Sequence, residues 1–129
     1  MYCLDTNVIV DVLRGDEKLK EKFEMASNDY KLFITPITLC ELFRGAFGHA
    51  KAEDKIRILE LFISNFYLLE FDISACKEFG RFCLNLKNIG RKVNEFDLMI
   101  ASIVKVNNLI LITRDKKHFE NIGIKVEVW

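Results

Sequence analysis

The chain has 129 residues with a single proline, and 50% of its residues are hydrophobic while 29% are charged. This is the size of one ordinary domain with a sizeable core, and the composition excludes a disordered chain. Nineteen basic and nineteen acidic residues give a net charge of zero, which counts against a large non-specific nucleic-acid binder. Because no repeat or low-complexity run divides the sequence, we expect one domain over residues 1–129.

The amino terminus does not have the pattern of a signal peptide. Asp5 arrives at once, and no positively charged segment precedes an apolar run. The longest apolar stretches, Ile100–Val104 and Leu109–Ile112, are far too short to span a bilayer. We therefore expect a soluble, cytoplasmic protein without a membrane partner.

The cysteines and histidines form no recognisable metal or disulfide pattern. There is no C-x-x-C pair, and His49 and His118 are far apart in the sequence. Because cytosolic thiols stay reduced and free cysteine packs as a small hydrophobe, we expect buried free thiols rather than a zinc site. The four residues concerned are Cys3, Cys40, Cys76 and Cys83.

The first elements alternate between strand and helix. Tyr2–Leu4 is predicted to be a short buried strand, and the triplet Asp5-Thr6-Asn7 after it is rich in residues that cap helices. The apolar spacing that follows, from Val8 to Leu13, predicts a helix that ends at Gly15. A charged helix and a second strand come next, over Asp16–Ser27 and Lys31–Ile34.

The two helices in the middle of the chain have unusually large apolar surfaces. Thr35 is expected to cap the first helix, with Pro36 at its first position. The second helix, over Lys51–Ser64, is apolar on more than one side. Either both helices are wholly buried in a small core, or they carry an interface, since a large contiguous apolar patch usually marks one. Its expected residues are Phe43, Phe47, Ile58, Leu61 and Phe62.

The second half continues the alternation of strands and helices. The predicted elements are a strand at Tyr67–Phe71, a helix from Asp72 or Ser74 to about Leu86, a helix over Glu95–Val106 capped by Asn94, a buried strand at Leu109–Thr113 and a final edge strand at Ile124–Val128. This alternation is typical of an α/β fold with a parallel sheet.

Four acidic residues lie where these strands end or these helices begin. Asp5 ends the first strand, Asp115 follows the strand at Leu109–Thr113, and Glu41 and Asp97 lie early in their helices. Ligands of parallel α/β sheets bind at the carboxyl ends of the strands, so the four can converge there. Two unit charges about 4 Å apart repel by roughly 4 kcal/mol at an effective dielectric near 20, and a divalent cation reverses that sign. Such an oxygen-rich site suits Mg²⁺ or Mn²⁺ and phosphodiester hydrolysis.

Each acid also has an ordinary structural explanation. Asp5 could cap the first helix, and Asp115 could be a turn residue. Glu41 and Asp97 each stand three residues after a capping residue type, the offset of a capping box. However, Thr35 and Pro36 already account for the start of the helix that contains Glu41. The occurrence of all four acids at one sheet edge therefore favours a metal site.

The motifs around these acids resemble those of the PIN-domain ribonucleases, and more closely the VapC-type toxins of toxin–antitoxin pairs. The resemblance covers nearly the whole chain and depends on the order and spacing of four motifs. They are Leu4-Asp5-Thr6-Asn7-Val8-Ile9, Ile37-Thr38-Leu39-Cys40-Glu41-Leu42-Phe43-Arg44-Gly45, Phe96-Asp97-Leu98-Met99-Ile100-Ala101 and Leu111-Ile112-Thr113-Arg114-Asp115-Lys116-Lys117-His118-Phe119.

This resemblance implies roles for individual residues. Asp5, Glu41 and Asp97 would bind metal, and Asp115 would be the fourth acidic position, which varies more in the family and is often asparagine. The polar side chains that would hold the carboxylates or water are Asn7 and Thr113.

Basic residues in or beside the motifs are candidates for contacting the phosphates of RNA. They are Arg14, Arg44, Arg114 and Lys116. Arg44 is the first choice, because its three-residue offset places it one helical turn from Glu41. The alternative is that Arg44 only pairs with a carboxylate.

The resemblance further implies a PIN-like three-layer fold, in which helices flank a central parallel sheet, usually assembled as a homodimer. The implied reaction is hydrolysis of RNA by a metal-activated water, leaving a 5′-phosphate and a 3′-hydroxyl. The implied partner is a small antitoxin whose tail blocks the active-site groove, and an arginine of that tail would reach the acids.

Four other interpretations compete with a toxin ribonuclease. A phosphatase of the haloacid-dehalogenase type needs a second aspartate where this chain has Asn7. A phosphoacceptor receiver domain would leave Glu41 and Asp97 unexplained. A PIN fold that only binds RNA or protein would leave the repelling charges without a cation. A PIN nuclease of RNA maturation would share the same site.

Overall fold

The computed structural model describes residues 1–129 and contains five strands and seven helices. The strands are β1 (Tyr2–Leu4), β2 (Leu32–Ile34), β3 (Tyr67–Leu68), β4 (Ile110–Thr113) and β5 (Lys125–Val128). The helices are α1 (Thr6–Leu13), α2 (Glu17–Asp29), α3 (Pro36–Phe47), α4 (Ala52–Ile63), α5 (Ile73–Asn88), α6 (Glu95–Val106) and α7 (Lys116–Phe119). Most predicted elements are therefore present within one or two residues of their expected bounds.

All five strands are parallel and follow the order β3-β2-β1-β4-β5. From β1 the chain first builds outward on one side, to β2 and β3, and then crosses to the other side at β4. The direction of winding therefore reverses between β1 and β4. In open α/β sheets, the crevice beyond the carboxyl ends of the strands at such a reversal is the usual place for a ligand.

The sheet separates two apolar cores because successive side chains of a strand point to opposite faces. On β1, Leu4 packs with α1 to α4, whereas its neighbour Cys3 packs with α5, α6 and α7. On β4, Ile112 and Leu111 divide in the same way. The result is the three-layer α/β arrangement that the resemblance implied, with a helical layer on each face of the parallel sheet.

The start of α3 follows the capping prediction. The hydroxyl of Thr35 accepts a hydrogen bond from the backbone N–H of Thr38 at 3.0 Å, and Pro36 occupies the first turn. The two threonine hydroxyls lie 2.9 Å apart, and both residues are fully buried. The cap thus fixes the direction in which α3 leaves β2 and, with it, the position of Glu41 on α3.

Two details of the strands and helices differ from the sequence-based expectation. The third strand was expected over Tyr67–Phe71 but has only two residues. Its neighbour β2 ends at Ile34 because Thr35 already caps α3, so β3 has few positions left with which to pair. Helix α7 was not predicted at all, since a single turn of four residues leaves no periodic pattern in the sequence.

The expectation of four buried thiols is wrong for two of them. All four cysteines are free, but Cys40 and Cys76 are exposed, whereas Cys3 is buried and Cys83 is partly buried. Both exposed cysteines lie on helices, where successive side chains are turned by about 100° and apolar neighbours in sequence do not share a face. No helix of the chain is both long enough and apolar enough to cross a membrane.

Candidate active site at the carboxyl edge of the sheet

One open pocket of about 320 Å³ is lined by all four predicted acids, at the carboxyl edge of the central strands. Asp5 follows β1, Asp115 follows β4, Glu41 is on the second turn of α3, and Asp97 is in the first turn of α6. Four separate segments of the chain thus bring a carboxylate to the same place. Asn7, Arg14 and His118 also line this pocket, which we call the acidic pocket.

Asp5 lies deepest in the acidic pocket, with only 5% of its surface exposed. Its carboxylate accepts hydrogen bonds from the backbone N–H of Thr6 at 2.8 Å and from the hydroxyl of Thr113 at 2.7 Å. Burial raises the pKa of Asp5 to about 6, and the nearby charges of Asp97 and Glu41 also raise it, while the two hydrogen bonds lower it. Asp5 therefore caps α1, as its ordinary explanation held. Its ionised form is also destabilised by burial and by the neighbouring acids.

Thr113 and Asn7 connect the two strands between which the winding of the sheet reverses. The Thr113 hydroxyl donates to Asp5 and accepts from the backbone N–H of Asp115 at 3.0 Å. The amide of Asn7 donates to Thr113 at 3.3 Å and accepts from the backbone N–H of Arg114 at 3.2 Å. These bonds fix the loop that carries Asp115 against the start of α1. The structure thus places both residues behind the acids, where supporting polar groups were expected.

Glu41 and Asp97 extend into the acidic pocket from helices on opposite faces of the sheet. Glu41 accepts a hydrogen bond from the hydroxyl of Thr6 at 2.8 Å. Asp97 is partly buried, and burial raises its pKa above the usual range. The charges of Glu41 and Asp115 raise the pKa of Asp97 as well, whereas His118 lowers it. The acids are thus close enough to affect one another's ionisation.

His118 joins two of the acids and was not among the predicted site residues. Its Nδ1 lies 2.9 Å from Asp97 Oδ2, and its Nε2 lies 3.2 Å from Asp115 Oδ2. The one-turn helix α7 makes this possible, because it places His118 one turn after Asp115. The three-residue offset between Asp115 and His118 in the fourth motif was the signal that could have revealed this contact. Thr6, the donor to Glu41, had no such signal.

The basic residues around the acidic pocket are placed very differently. Arg114, one of the candidates for phosphate contact, is held by Asp11 at 2.9 Å and Asp16 at 3.2 Å. Arg14 lines the pocket, and Lys116 lies beside a separate cavity behind α7. The guanidinium of Arg44 forms no salt bridge and lies over the ring of Phe96, 6.0 Å from its centroid. Arg44 is therefore not paired with a carboxylate, whereas Arg114 is.

A groove of about 330 Å³ runs between α1, α3 and α4 and meets the acidic pocket. Val10, Arg14 and Glu41 line both the groove and the acidic pocket. Beside it, large apolar side chains of α3 and α4 are exposed, at Phe47, Ile58 and Leu61. The other two residues of the expected interface, Phe43 and Phe62, are partly buried in the core. The apolar surface expected on these two helices is thus present in part.

The acids fit a hard divalent cation by their chemistry, since carboxylate oxygens are the ligands that Mg²⁺ and Mn²⁺ prefer. In their present arrangement, no three His, Cys, Asp or Glu side chains are placed so that they could hold one ion together. One oxygen of each of three acids has a partner within the protein: Thr6 donates to Glu41, and His118 contacts Asp97 and Asp115.

Comparison with known proteins identifies the family. The model of the PIN domain matches residues 2–125. The tRNA(fMet)-specific endonuclease VapC of Shigella flexneri is 31% identical, over 99% of this chain and 97% of the relative. Ribonuclease VapC1 of Haemophilus influenzae is 33% identical, over 95% of this chain and 92% of the relative.

The three-dimensional comparison agrees with the sequence comparison. A crystal structure of VapBC2 from Rickettsia felis, bound to a DNA fragment from its promoter, contains a chain that superposes with a TM-score of 0.93 at 26% identity. The superposition covers 99% of this chain and 98% of that one. The chain therefore belongs to the PIN-domain family and, within it, to the VapC ribonucleases of toxin–antitoxin systems.

Proposed function

We propose that this chain is a metal-dependent endoribonuclease formed by a single domain over residues 1–129, and that Asp5, Glu41, Asp97 and Asp115 hold Mg²⁺ or Mn²⁺. One observation carries the proposal: four separate segments bring a carboxylate into one pocket, and the most buried of the four has a pKa of about 6. Groups with raised pKa values in a cleft mark functional sites, because the fold tolerates their repulsion for a purpose. A cation removes that repulsion.

The residues of the acidic pocket have distinct parts in this reaction. A bound divalent ion would activate a water for attack on the phosphodiester and stabilise the leaving oxygen. Thr113 and the backbone N–H of Thr6 keep Asp5 oriented through its two hydrogen bonds. Asn7 keeps the loop of Asp115 in register with α1. His118 contacts Asp97 and Asp115 through its two ring nitrogens and would help to orient both carboxylates toward a bound ion.

The proposed partners are an RNA substrate, a small antitoxin and a second copy of the chain. The groove between α1, α3 and α4 ends at Glu41, so a partner segment that fills it reaches the acids directly. An arginine of that segment would compete with the cation for the carboxylates, so that binding of the partner would also inhibit RNA cleavage. The exposed Phe47, Ile58 and Leu61 supply the apolar part of such interfaces. Because its substrate is cellular RNA, the protein would act in the cytoplasm.

The decisive test removes the charge of Asp5 while keeping its shape. Asp5→Asn can still cap α1, so we expect an intact fold and at least a hundredfold loss of Mg²⁺-dependent RNA cleavage. The estimate is a lower bound, because loss of a group that only supports a metal ligand already costs about 10- to 100-fold. Since the relative from Shigella flexneri is described as specific for tRNA(fMet), initiator tRNA is the first substrate to test. Cleavage is measured on gels, with EDTA as the metal-free reference.

Asp72→Asn is the matched control. Asp72 caps α5 through a hydrogen bond from Ala75, as Asp5 caps α1, but it does not line the acidic pocket. We expect this variant to cleave at the rate of the unmodified chain. If Asp5→Asn also cleaves at that rate, the assigned acids do not form the catalytic centre.

A further inference from the structure

Phe96 is a partly exposed aromatic residue that precedes Asp97, one of the acids of the acidic pocket, in the sequence. It lies in the first turn of α6, immediately before Asp97, and 41% of its surface is exposed. It takes part in none of the aromatic pairs of the chain, in contrast to Phe23, Phe62 and Phe66, which pack against one another. Its distinctive partner is the guanidinium of Arg44, across the interface between α3 and α6. A cation thus lies over the ring, and part of the residue remains exposed to solvent.

Arg44 and Phe96 each lie close in sequence to an acid that lines the acidic pocket. Arg44 follows Glu41 by three residues on α3, and Phe96 precedes Asp97 by one residue on α6. On a helix, a three-residue offset is a rise of about 4.5 Å along the same face. The two acids line the acidic pocket, and the Arg44 guanidinium and the Phe96 ring, which come from the same two helices, lie against each other. An RNA chain held at the acids would thus pass Arg44 about one helical turn from Glu41, and Arg44 in turn contacts Phe96.

No carboxylate holds the guanidinium of Arg44. It is exposed and forms no salt bridge, and no side-chain hydrogen bond holds its guanidinium. Arg114 shows the opposite case, since two carboxylates hold it. A planar cation over an open aromatic ring is the surface on which unstacked nucleobases bind, through stacking and cation–π contact. Its free N–H donors can also contact a phosphate.

We propose that Arg44 and Phe96 together form a stacking site for one unpaired nucleobase of the RNA, next to the phosphodiester that the acids cleave. This inference rests on the proposed ribonuclease function and assigns to Arg44 and Phe96 the positioning of the nucleotide beside the cleaved bond, whose base must be unstacked from its neighbours. Double-stranded RNA cannot present a base in this way.

The test measures binding and stacking separately from cleavage. Asp5→Asn serves as the parent, because its RNA is not cut, and the probe is a fluorescein-labelled single-stranded RNA oligonucleotide with Mg²⁺ present. Phe96→Ala should weaken binding by about 5- to 100-fold, as expected for the loss of one stacked base. Phe96→Tyr should retain the affinity. A series of oligonucleotides carries a single 2-aminopurine, each at a different position. The parent should quench the fluorescence at one of these positions, and Phe96→Ala should abolish that quenching.

Tyr67→Ala is the matched control for the loss of an exposed ring. Tyr67 is 55% exposed with Lys31 over its ring, 5.4 Å from the centroid, but it lies at the amino end of β3, away from the acids. The inference is overturned if Phe96→Ala binds and quenches like the parent, or if Tyr67→Ala weakens binding equally. It is also overturned if light scattering shows that Phe96→Ala has turned a dimer into a monomer, since the ring then contacts a second copy. If the unmodified chain neither binds nor cuts RNA, the proposed function fails as well.

Discussion

Two carboxylates of this chain are almost completely buried, and their surroundings shift their pKa values in opposite directions. Glu78 on α5 has 8% of its surface exposed and lies 2.6 Å from Lys105 and 2.9 Å from Arg81. The hydrogen bond from Lys105 is the main reason that its pKa lies below the usual range. Asp5 is buried to a similar degree but meets a hydroxyl, a backbone N–H and other acids, and its pKa rises to about 6.

The difference separates an acid paired within the fold, Glu78, from one proposed to bind a cation, Asp5. A buried charge is costly unless it is paired, and the fold supplies Glu78 with two cations of its own. It supplies Asp5 with none, although Arg14 and Arg114 lie close by. Arg114 is instead bound to Asp11 and Asp16. The acidic pocket is thus left short of positive charge, which a cation from solution can provide.

The largest expected effect comes from neutralising the acidic pocket. Without metal at neutral pH, the Asp5→Asn/Asp97→Asn variant should be more stable than the unmodified chain by about 2 to 3 kcal/mol, because each pKa unit corresponds to about 1.4 kcal/mol. Millimolar Mg²⁺ should raise the melting temperature of the unmodified chain, and much less that of the variant. Thermal unfolding in EDTA and in Mg²⁺ measures both effects. If the variant and the unmodified chain have equal melting temperatures and respond equally to Mg²⁺, Asp5 is not an unpaired buried charge and does not differ from Glu78 in this way.

The second effect is a pH dependence of stability between pH 7 and pH 5 that Asp5 causes and Glu78 does not. The pKa of Asp5 rises from 3.8 to about 6 on folding, so the folded chain binds more protons between these values. Its stability in EDTA should therefore increase as the pH falls through this window, by roughly 1 kcal/mol between pH 7 and pH 5 relative to Asp5→Asn. Urea unfolding at the two pH values measures this difference.

The contribution of Glu78 should behave differently over the same range. Because its folded pKa is lowered from 4.5, its stabilisation is fully present above pH 4.5 and is lost only as the pH falls through the folded value. Glu78→Gln should thus show the same loss of stability at pH 7 and at pH 5. A loss that shrinks between these pH values would contradict the assignment of Glu78 as a fully ionised, paired acid.

The smallest effect is the stability cost of Glu78→Gln itself. We expect a loss of about 1 kcal/mol, below the 3 to 5 kcal/mol of fully buried pairs, because the side chains of Lys105 and Arg81 are 42% and 65% exposed. This corresponds to a melting temperature lower by roughly 3 to 5 °C. RNA cleavage measured at a temperature below both transitions should be unchanged. Arg81→Gln, which removes only the more exposed partner, should cost less than Glu78→Gln.

Periodicity and capping rules predicted most of the fold because they act locally. Asn94 and Thr35 cap their helices as expected, and Glu95–Val106 forms a helix with the predicted bounds. The four acids could be selected because each follows a strand or begins a helix at the carboxyl edge. Helix α7 could not be predicted, since one turn has no period and is stabilised by the burial of Phe119 in the core.

The partners of the polar side chains depend on tertiary contacts that no sequence pattern encodes. His118 meets Asp97 across a separation of 21 residues, and Thr6 meets Glu41 across 35. Arg44 and Arg114 look alike in sequence, as basic residues within the motifs. Only the packing of α3 against α6 places Arg44 over Phe96, while the loop after β4 brings Arg114 to Asp11 and Asp16.

The central position of β1 in the sheet has a consequence for the order of events during synthesis. β1 is made first, yet its partner β4 comes near the end of the chain, and the bond between Thr113 and Asp5 spans 108 positions. At roughly 5 to 20 residues per second, the ribosome needs roughly 5 to 20 s to translate this interval. The helices that line the groove, α1, α3 and α4, are all complete by Ile63. The nascent chain therefore contains the whole sequence of its proposed partner-binding groove well before the acidic pocket can close.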